Sequence, residues 1–357
     1  RRFKFVPLWN IRFYLVYRLR RLSCPEHGVV VEQIPWARGK QHTTTAFQVI
    51  IARWARLLSW QKVADRFKVS WNTVADAIKS MVEYGLEHRD LSGIESLGVD
   101  EMAAGKGHQK YVSLVYQIDP GKTRLLWVGK ERKAKTLLRF FHEFGKERAA
   151  AIRFVCSDMW KPYLKVIAKK IPQALNILDR FHIMKQFGDA IDKVRRQEVA
   201  RLHHDGYQPV LTKSRWLLLK RPENLTDKQS GKLRTLLRYN LQSVRAYLLR
   251  EDFQHFWAYA SPTWAAKFLD EWVRKTMLSK IEPMKKVARM LRSHKQLIMN
   301  WFVAKGALSS GVVEAMNNTA KLTIRKSFGF RSHEIMKCAL YHTLGQLPLP
   351  KLTHEFF

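Results

Sequence analysis

The chain has 357 residues, 46% of them hydrophobic and 12% aromatic, which excludes a disordered polymer and suffices for two or three domains with a substantial core. Sixty-four Lys and Arg against thirty Asp and Glu leave a formal charge of +34, far beyond what solubility needs, so a polyanionic partner is expected. The cations run through the whole chain, which favours nucleic acid over a membrane surface, where a short basic helix or tail would suffice. No run approaches the roughly eighteen apolar residues of a membrane span, and the Arg-rich start lacks the apolar segment of a signal peptide. The three cysteines, Cys24, Cys156 and Cys338, are too widely spaced for a disulfide framework, so a reducing, cytoplasmic setting is expected.

In chain order, FKFVPLWN and IRFYLVYRLRRL alternate as short strands do and lead into CPEHG. Cys24 and His27 there have the spacing of half a zinc site, two ligands on one tight turn, for which a second pair would have to lie upstream of Arg1. From Thr44 to Tyr84 the period becomes helical. TTAFQVIIARWARLL is an apolar helix, and SWQKVADRF, a KVS turn and WNTVADAIKSMVEYG form a helix-turn-helix pattern with Ser70 as N-cap of the second helix. That helix is expected to expose Trp71, Asn72, Thr73, Asp76 and Lys79, those near its start being placed to reach base edges in a major groove.

After the linker HRDLSG, the segments IESLGVDEMAA, QKYVSLVYQID and TRLLWVGK predict three successive strands, with turns at AAGKGH and DPGK. A helix (AKTLLRFFHEFG), a buried strand (AIRFVCSDMW), a helix (KPYLKVIAKKIP) and a strand entering a long helix (QALNILDRFHI) follow. Three antiparallel strands and then alternating helix and strand is the order of an RNase H-like α/β fold with a mixed sheet. Strand signals vanish from about Arg195 to Ala304, a Trp-rich and increasingly cationic helical stretch, and no internal repeat is found. The expected division is 1–42, an incomplete zinc-ribbon-like β element; 43–90, the helix-turn-helix; 91–195, the first part of the core; 196–304, an all-helical insertion; and 305–357, the C-terminal helices of the core.

Two carboxylates stand at matching places in this plan, Asp100 in the first core strand and Asp158 at the end of the fourth. Neighbouring strands would bring them together, and a buried ionised group needs a partner or a metal. Glu314, in SSGVVEAMNNTAKLTIRKSFGF, can complete the set from a helix; Asn317, Asn318, Lys321 and Arg325 are expected on its face, with Val313, Met316, Ala320 and Ile324 opposite. Three acids suit two Mg²⁺ or Mn²⁺ ions, hard cations that take oxygen ligands and activate attacking and leaving oxygens at a phosphodiester. Asn318, Lys321 and Arg325 become candidate phosphate contacts. Asp179 and His182 follow another strand, where a metal- or phosphate-positioning role competes with helix capping; Glu101 points away from Asp100 and reads as structural, and His108 and Lys110 as turn residues.

GVDE, KGHQKYVSLVYQID, SDMWKPY, LDRFHIMK and SSGVVEAMNNTAKLTIRKSFGFR, in that order, resemble the successive motifs of the ISL3 insertion-sequence transposases, a DDE group with an RNase H-like core. The resemblance covers nearly the whole chain, CPEHG and PWAR looking like that family's N-terminal zinc element. It implies Asp100, Asp158 and Glu314 as metal-binding acids, Zn²⁺ at Cys24 and His27, and DNA cleavage and strand transfer on terminal inverted repeats and target DNA by a homodimer. The alternatives are a DNA-binding regulator without catalysis, or a nuclease on the same fold.

Overall fold

In a computed structural model the described residues are 1–9, 11–37, 41–103, 111–207, 210–304, 310–327, 330 and 332–352. Two small antiparallel hairpins come first, β1 (Arg2–Lys4) with β2 (Tyr14–Val16) and β3 (Arg21–Cys24) with β4 (Gly28–Val31). Three helices follow: α1 (Thr45–Leu57), α2 (Trp60–Phe67) and α3 (Trp71–His88). The Thr44, Ser59 and Ser70 side chains each accept from a backbone N–H three residues on, which is why all three helices start where they do. Helix α2 ends at Lys68 in the left-handed conformation (φ 49°), and Lys4 from β1 donates to the Phe67 and Lys68 carbonyls at 2.8 and 2.9 Å. A cation thus satisfies the acceptors left over at a helix C-terminus and ties the hairpin to the helix-turn-helix corner.

The sheet comprises β5 (Ser96–Ala103), β6 (Tyr111–Asp119), β7 (Lys122–Lys130), then, after α4 (Ala134–Phe144) and α5 (Lys146–Ala150), β8 (Phe154–Ser157) and, after α6 (Lys161–Lys170), β9 (Leu175–Leu178). The strand order is β7-β6-β5-β8-β9. β6 and β7 are antiparallel, and β5, β8 and β9 are parallel neighbours. This is the mixed sheet of an RNase H-like core with helical additions. Strands such as VSLVYQI run apolar without alternation because both faces are covered.

A 25-residue helix, α7 (Arg180–His204), leaves β9; the expected boundary at 195/196 lies inside it. Then come α8 (Arg215–Leu219), α9 (Asp227–Leu236), α10 (Gln242–Gln254), α11 (Pro262–Leu278), α12 (Glu282–Ser293) and α13 (Lys295–Val303), and finally α14 (Ser310–Lys326) and α15 (His333–Leu344). Two compact units are distinguished: residues 1–94, 100–151 and 312–357, and residues 95–99 and 152–311. In the first, α3 packs against α1 and α15. The second has an aromatic core of Phe187, Phe253, Phe256 and Trp272. Of its tryptophans, Trp272 and Trp257 are core residues, whereas Trp216 and Trp264 are exposed. No helix of the described residues is long and apolar enough to cross a membrane.

Candidate active site and nucleic-acid interface

The parallel register aligns Val99 with Ser157 and Ser157 with Leu178. In each of the three strands the next residue is an aspartate, Asp100, Asp158 and Asp179. Asp100 is 8% exposed and Asp158 6%. The Asp158 carboxylate accepts from the Trp160 N–H at 3.1 Å, which fixes it at the entry to α6. Asp179 caps α7 through Phe181 N–H at 2.8 Å, and its other oxygen faces His182 Nδ1 at 2.8 Å. Its own N–H donates to the Ser157 carbonyl. Capping and a second function are therefore compatible at Asp179.

In the first unit, Asp100 is held from two sides. Its Oδ1 accepts from the Glu101 N–H at 2.7 Å, and its Oδ2 from the Asn317 amide of α14. The Asn317 carbonyl oxygen in turn accepts from the Tyr116 hydroxyl at 2.7 Å. Burial first, and the Asp100 charge second, push the Tyr116 hydroxyl well above its ordinary pKa, so it serves as a donor. Asn317 is only 4% exposed and lies with Val313 and Ala320 on the inner face of α14, not on the outer face expected for it. Helical spacing allows either face, since 317 falls in line with 313 and 320 as well as with 314 and 321, and the partners Asp100 and Tyr116 decide it. Glu314 is half-buried beside that stripe, and Asn318, Lys321 and Arg325 are exposed. Glu101 pairs with Arg132, the carboxylate largely buried and the guanidinium partly exposed. His108 and Lys110 lie outside the described residues.

On α3, Asn72, Asp76 and Lys79 are exposed at helical spacing, and Lys79 reaches Glu83 at 3.8 Å. Thr73 is half-buried and engaged with the Ser70 cap, its hydroxyl 2.9 Å from that of Ser70. Trp71 departs from expectation: it is half-buried against Trp60, ring centroids 5.5 Å apart.

A family model described as "Transposase", for DDE transposases of the ISL3 type, matches residues 97–340. The chain belongs to the ISL3 family of DDE transposases. It is 30% identical over 94% of its length to the transposase for insertion sequence element IS1001 of Bordetella parapertussis, covering 82% of that protein. It is 29% identical over 94% of its length to the transposase for insertion sequence element IS1557 of Mycobacterium tuberculosis, covering 80% of that one. The stretch that matches the family model contains Asp100, Asp158 and Glu314; the hairpins and the helix-turn-helix precede it.

The family implies divalent cations. Asp100 and Asp158 fit in kind, as buried hard oxygen donors, one within β5 and one just past the end of β8. Among the described residues, however, no three His, Cys, Asp or Glu side chains are gathered so as to hold one metal ion. Cys24 and His27 do meet across the β3–β4 turn, Sγ and Nδ1 being 3.5 Å apart. Two ligands of one tetrahedral zinc, at about 2.3 Å for sulfur and 2.0 Å for nitrogen, would stand at about that separation.

Two features escaped the sequence reading. Glu198, 4% exposed on α7, is a buried acid that takes the first N–H groups of α10, Gln242 at 2.7 Å and Ser243 at 2.8 Å, and is structural. A short repeat, SWQKVAD at 59–65 and SWNTVAD at 70–76, was also missed. Each copy places Ser at an N-cap and Trp at the first helical position.

Proposed function

We propose that the chain is a DNA transposase that binds the terminal inverted repeats of its element, cleaves to expose 3′-hydroxyls and joins them to target DNA. The observation that carries this is the register of β5 and β8, in which Val99 opposite Ser157 is followed on each strand by a buried aspartate. Asp100, Asp158 and, from α14, Glu314 would hold Mg²⁺ or Mn²⁺, which supplies Lewis acidity at the phosphodiester when bound. The protein's own contribution is positional. Glu101 N–H and the Asn317 amide orient the Asp100 carboxylate, Trp160 N–H orients that of Asp158, and Asp179 orients the His182 ring.

DNA contacts are assigned to α3 for base edges, through the exposed Asn72 and Lys79 with the half-buried Trp71 and Thr73 at its start, and to Asn318, Lys321 and Arg325 on α14 for phosphates. The charge of +34 supports both. Cys24 and His27 would supply half of a Zn²⁺ site that stiffens the hairpin. Two ends must be processed together, so the active form is a homodimer on DNA. The division into β element, 43–90 helix-turn-helix, core and insertion follows the same reading.

The test is strand transfer with element-end duplexes in Mg²⁺ or Mn²⁺. Asp100→Ala, Asp158→Ala and Glu314→Gln are each expected to reduce joined product to background while end binding persists. Undiminished transfer by all three would sink the assignment of the acids. An inert native chain that still binds ends would favour the DNA-binding regulator.

A further inference from the structure

The first unit contains a cavity of about 530 Å³ that the catalytic reading does not use. Its walls come from the end of α1, the first residues of α2 and α3, the last turn of α14 and one face of α15. The repeated Ser-Trp motif explains the wall chemistry. Because each Trp opens a helix of the same corner, Trp60 and Trp71 stand side by side, their planes inclined at 41°. Phe330 meets Trp60 edge to face, ring centroids 6.4 Å apart. Arg56 and Lys326 are exposed cations of the lining, Asn72 offers an amide, Gln61 donates its amide N–H to Asp65 at 2.8 Å and keeps its carbonyl oxygen, and no acidic side chain is among the described lining residues.

We infer that this cavity receives a single unpaired nucleotide of the bound DNA. Three aromatic rings line it, and stacking on aromatic rings is open to any base irrespective of sequence. Two cations in a lining without an acid suit the attached phosphate, and the Asn72 amide suits a base edge. The volume lies in the range of small-molecule sites and is room enough for one base with its sugar and phosphate. The inference rests on the DNA-binding reading above and adds the substrate's state, a base out of the duplex next to the recognition helix. From Glu314 to Lys326, α14 spans twelve residues, roughly 18 Å at 1.5 Å per residue. The cavity at the end of α14 is therefore well separated from Glu314, so the captured nucleotide is not the one at the acids.

The experiment uses the full chain and three fluorescent probes of mixed sequence: a blunt 30-bp duplex, the same duplex with a five-nucleotide single-stranded tail, and the tailed duplex with abasic tail positions. The native chain is expected to bind the tailed probe about tenfold more tightly than the blunt one, and the abasic tail to lose that gain. Trp60→Ala should bring the tailed probe to the blunt value without changing blunt-duplex affinity, and Lys326→Gln, at an exposed position, should lose part of the gain. A 2-aminopurine placed in the tail should be quenched on binding to the native chain, a readout independent of whether any variant folds. Equal affinity for blunt and tailed probes, an abasic tail that binds as well as the intact one, or unquenched 2-aminopurine overturns the inference and leaves duplex binding standing. Failure to bind any probe overturns the DNA-binding reading itself.

Discussion

Replacing Asn317 by alanine should be among the most costly single changes in the first unit. The side chain bridges two groups, accepting from the Tyr116 hydroxyl and donating to the Asp100 carboxylate. A neutral hydrogen bond contributes about 1 kcal/mol and one to a charged group about 2 kcal/mol, so Asn317→Ala is expected to cost about 3 kcal/mol. Tyr116→Phe removes only the first bond and should cost about 1 kcal/mol. Asn317→Asp sets a second carboxylate against Asp100; that repulsion should be largest at pH 7 and ease as the pH falls and one of the two binds a proton. Urea unfolding followed by circular dichroism, with hydrogen exchange of the α14 amides as the local readout, measures all three. Asn317→Ala within about 0.5 kcal/mol of the native chain, or Tyr116→Phe as costly as Asn317→Ala, would refute the bridging role, since both results lie outside the range for loss of these bonds.

Three further outcomes follow from the packing. Gly85→Ala on α3 usually stabilises a helix by about 1 kcal/mol, but here the added Cβ would lie 2.5 Å from Leu347 Cβ and 3.0 Å from the Pro348 carbonyl; a net loss of about 1–3 kcal/mol is expected in thermal unfolding. Glu198→Ala leaves the first turn of α10 without its acceptor and should lower the stability of the second unit by about 2–4 kcal/mol, with Glu198→Gln less severe, read from urea midpoints. Burial, with Arg56 second, depresses His342 from 6.5 to about 4. The unfolded chain therefore binds the extra proton between those values, so stability is full above pH 6.5 and falls as the pH drops towards 4, by about 3 kcal/mol in all. His342→Gln should flatten the dependence in that window.

Local patterns were legible from the residues alone. Alternating and continuous apolar runs located all five sheet strands, the change to helical period located α1 to α3, and Ser70 was readable as a cap because N-capping depends on a backbone N–H only three residues away. The family motifs were also contiguous strings, so their order survived without coordinates. What the residues alone misplaced was decided by neighbours distant in sequence. Trp71 is half-buried because Trp60 offers it a ring to pack against, and Asn317 turns inward because Asp100 and Tyr116, about two hundred positions earlier, need a partner. Glu198 is an acid like the others in the sequence, yet a helix N-terminus 44 residues away makes it structural. Asp179 stands level with Asp158 only through the register of β8 and β9. Pairing register and burial are set by the whole packed chain, where the desolvation of each polar group must be met by whichever partner the fold brings near, and no local period encodes which partner that is.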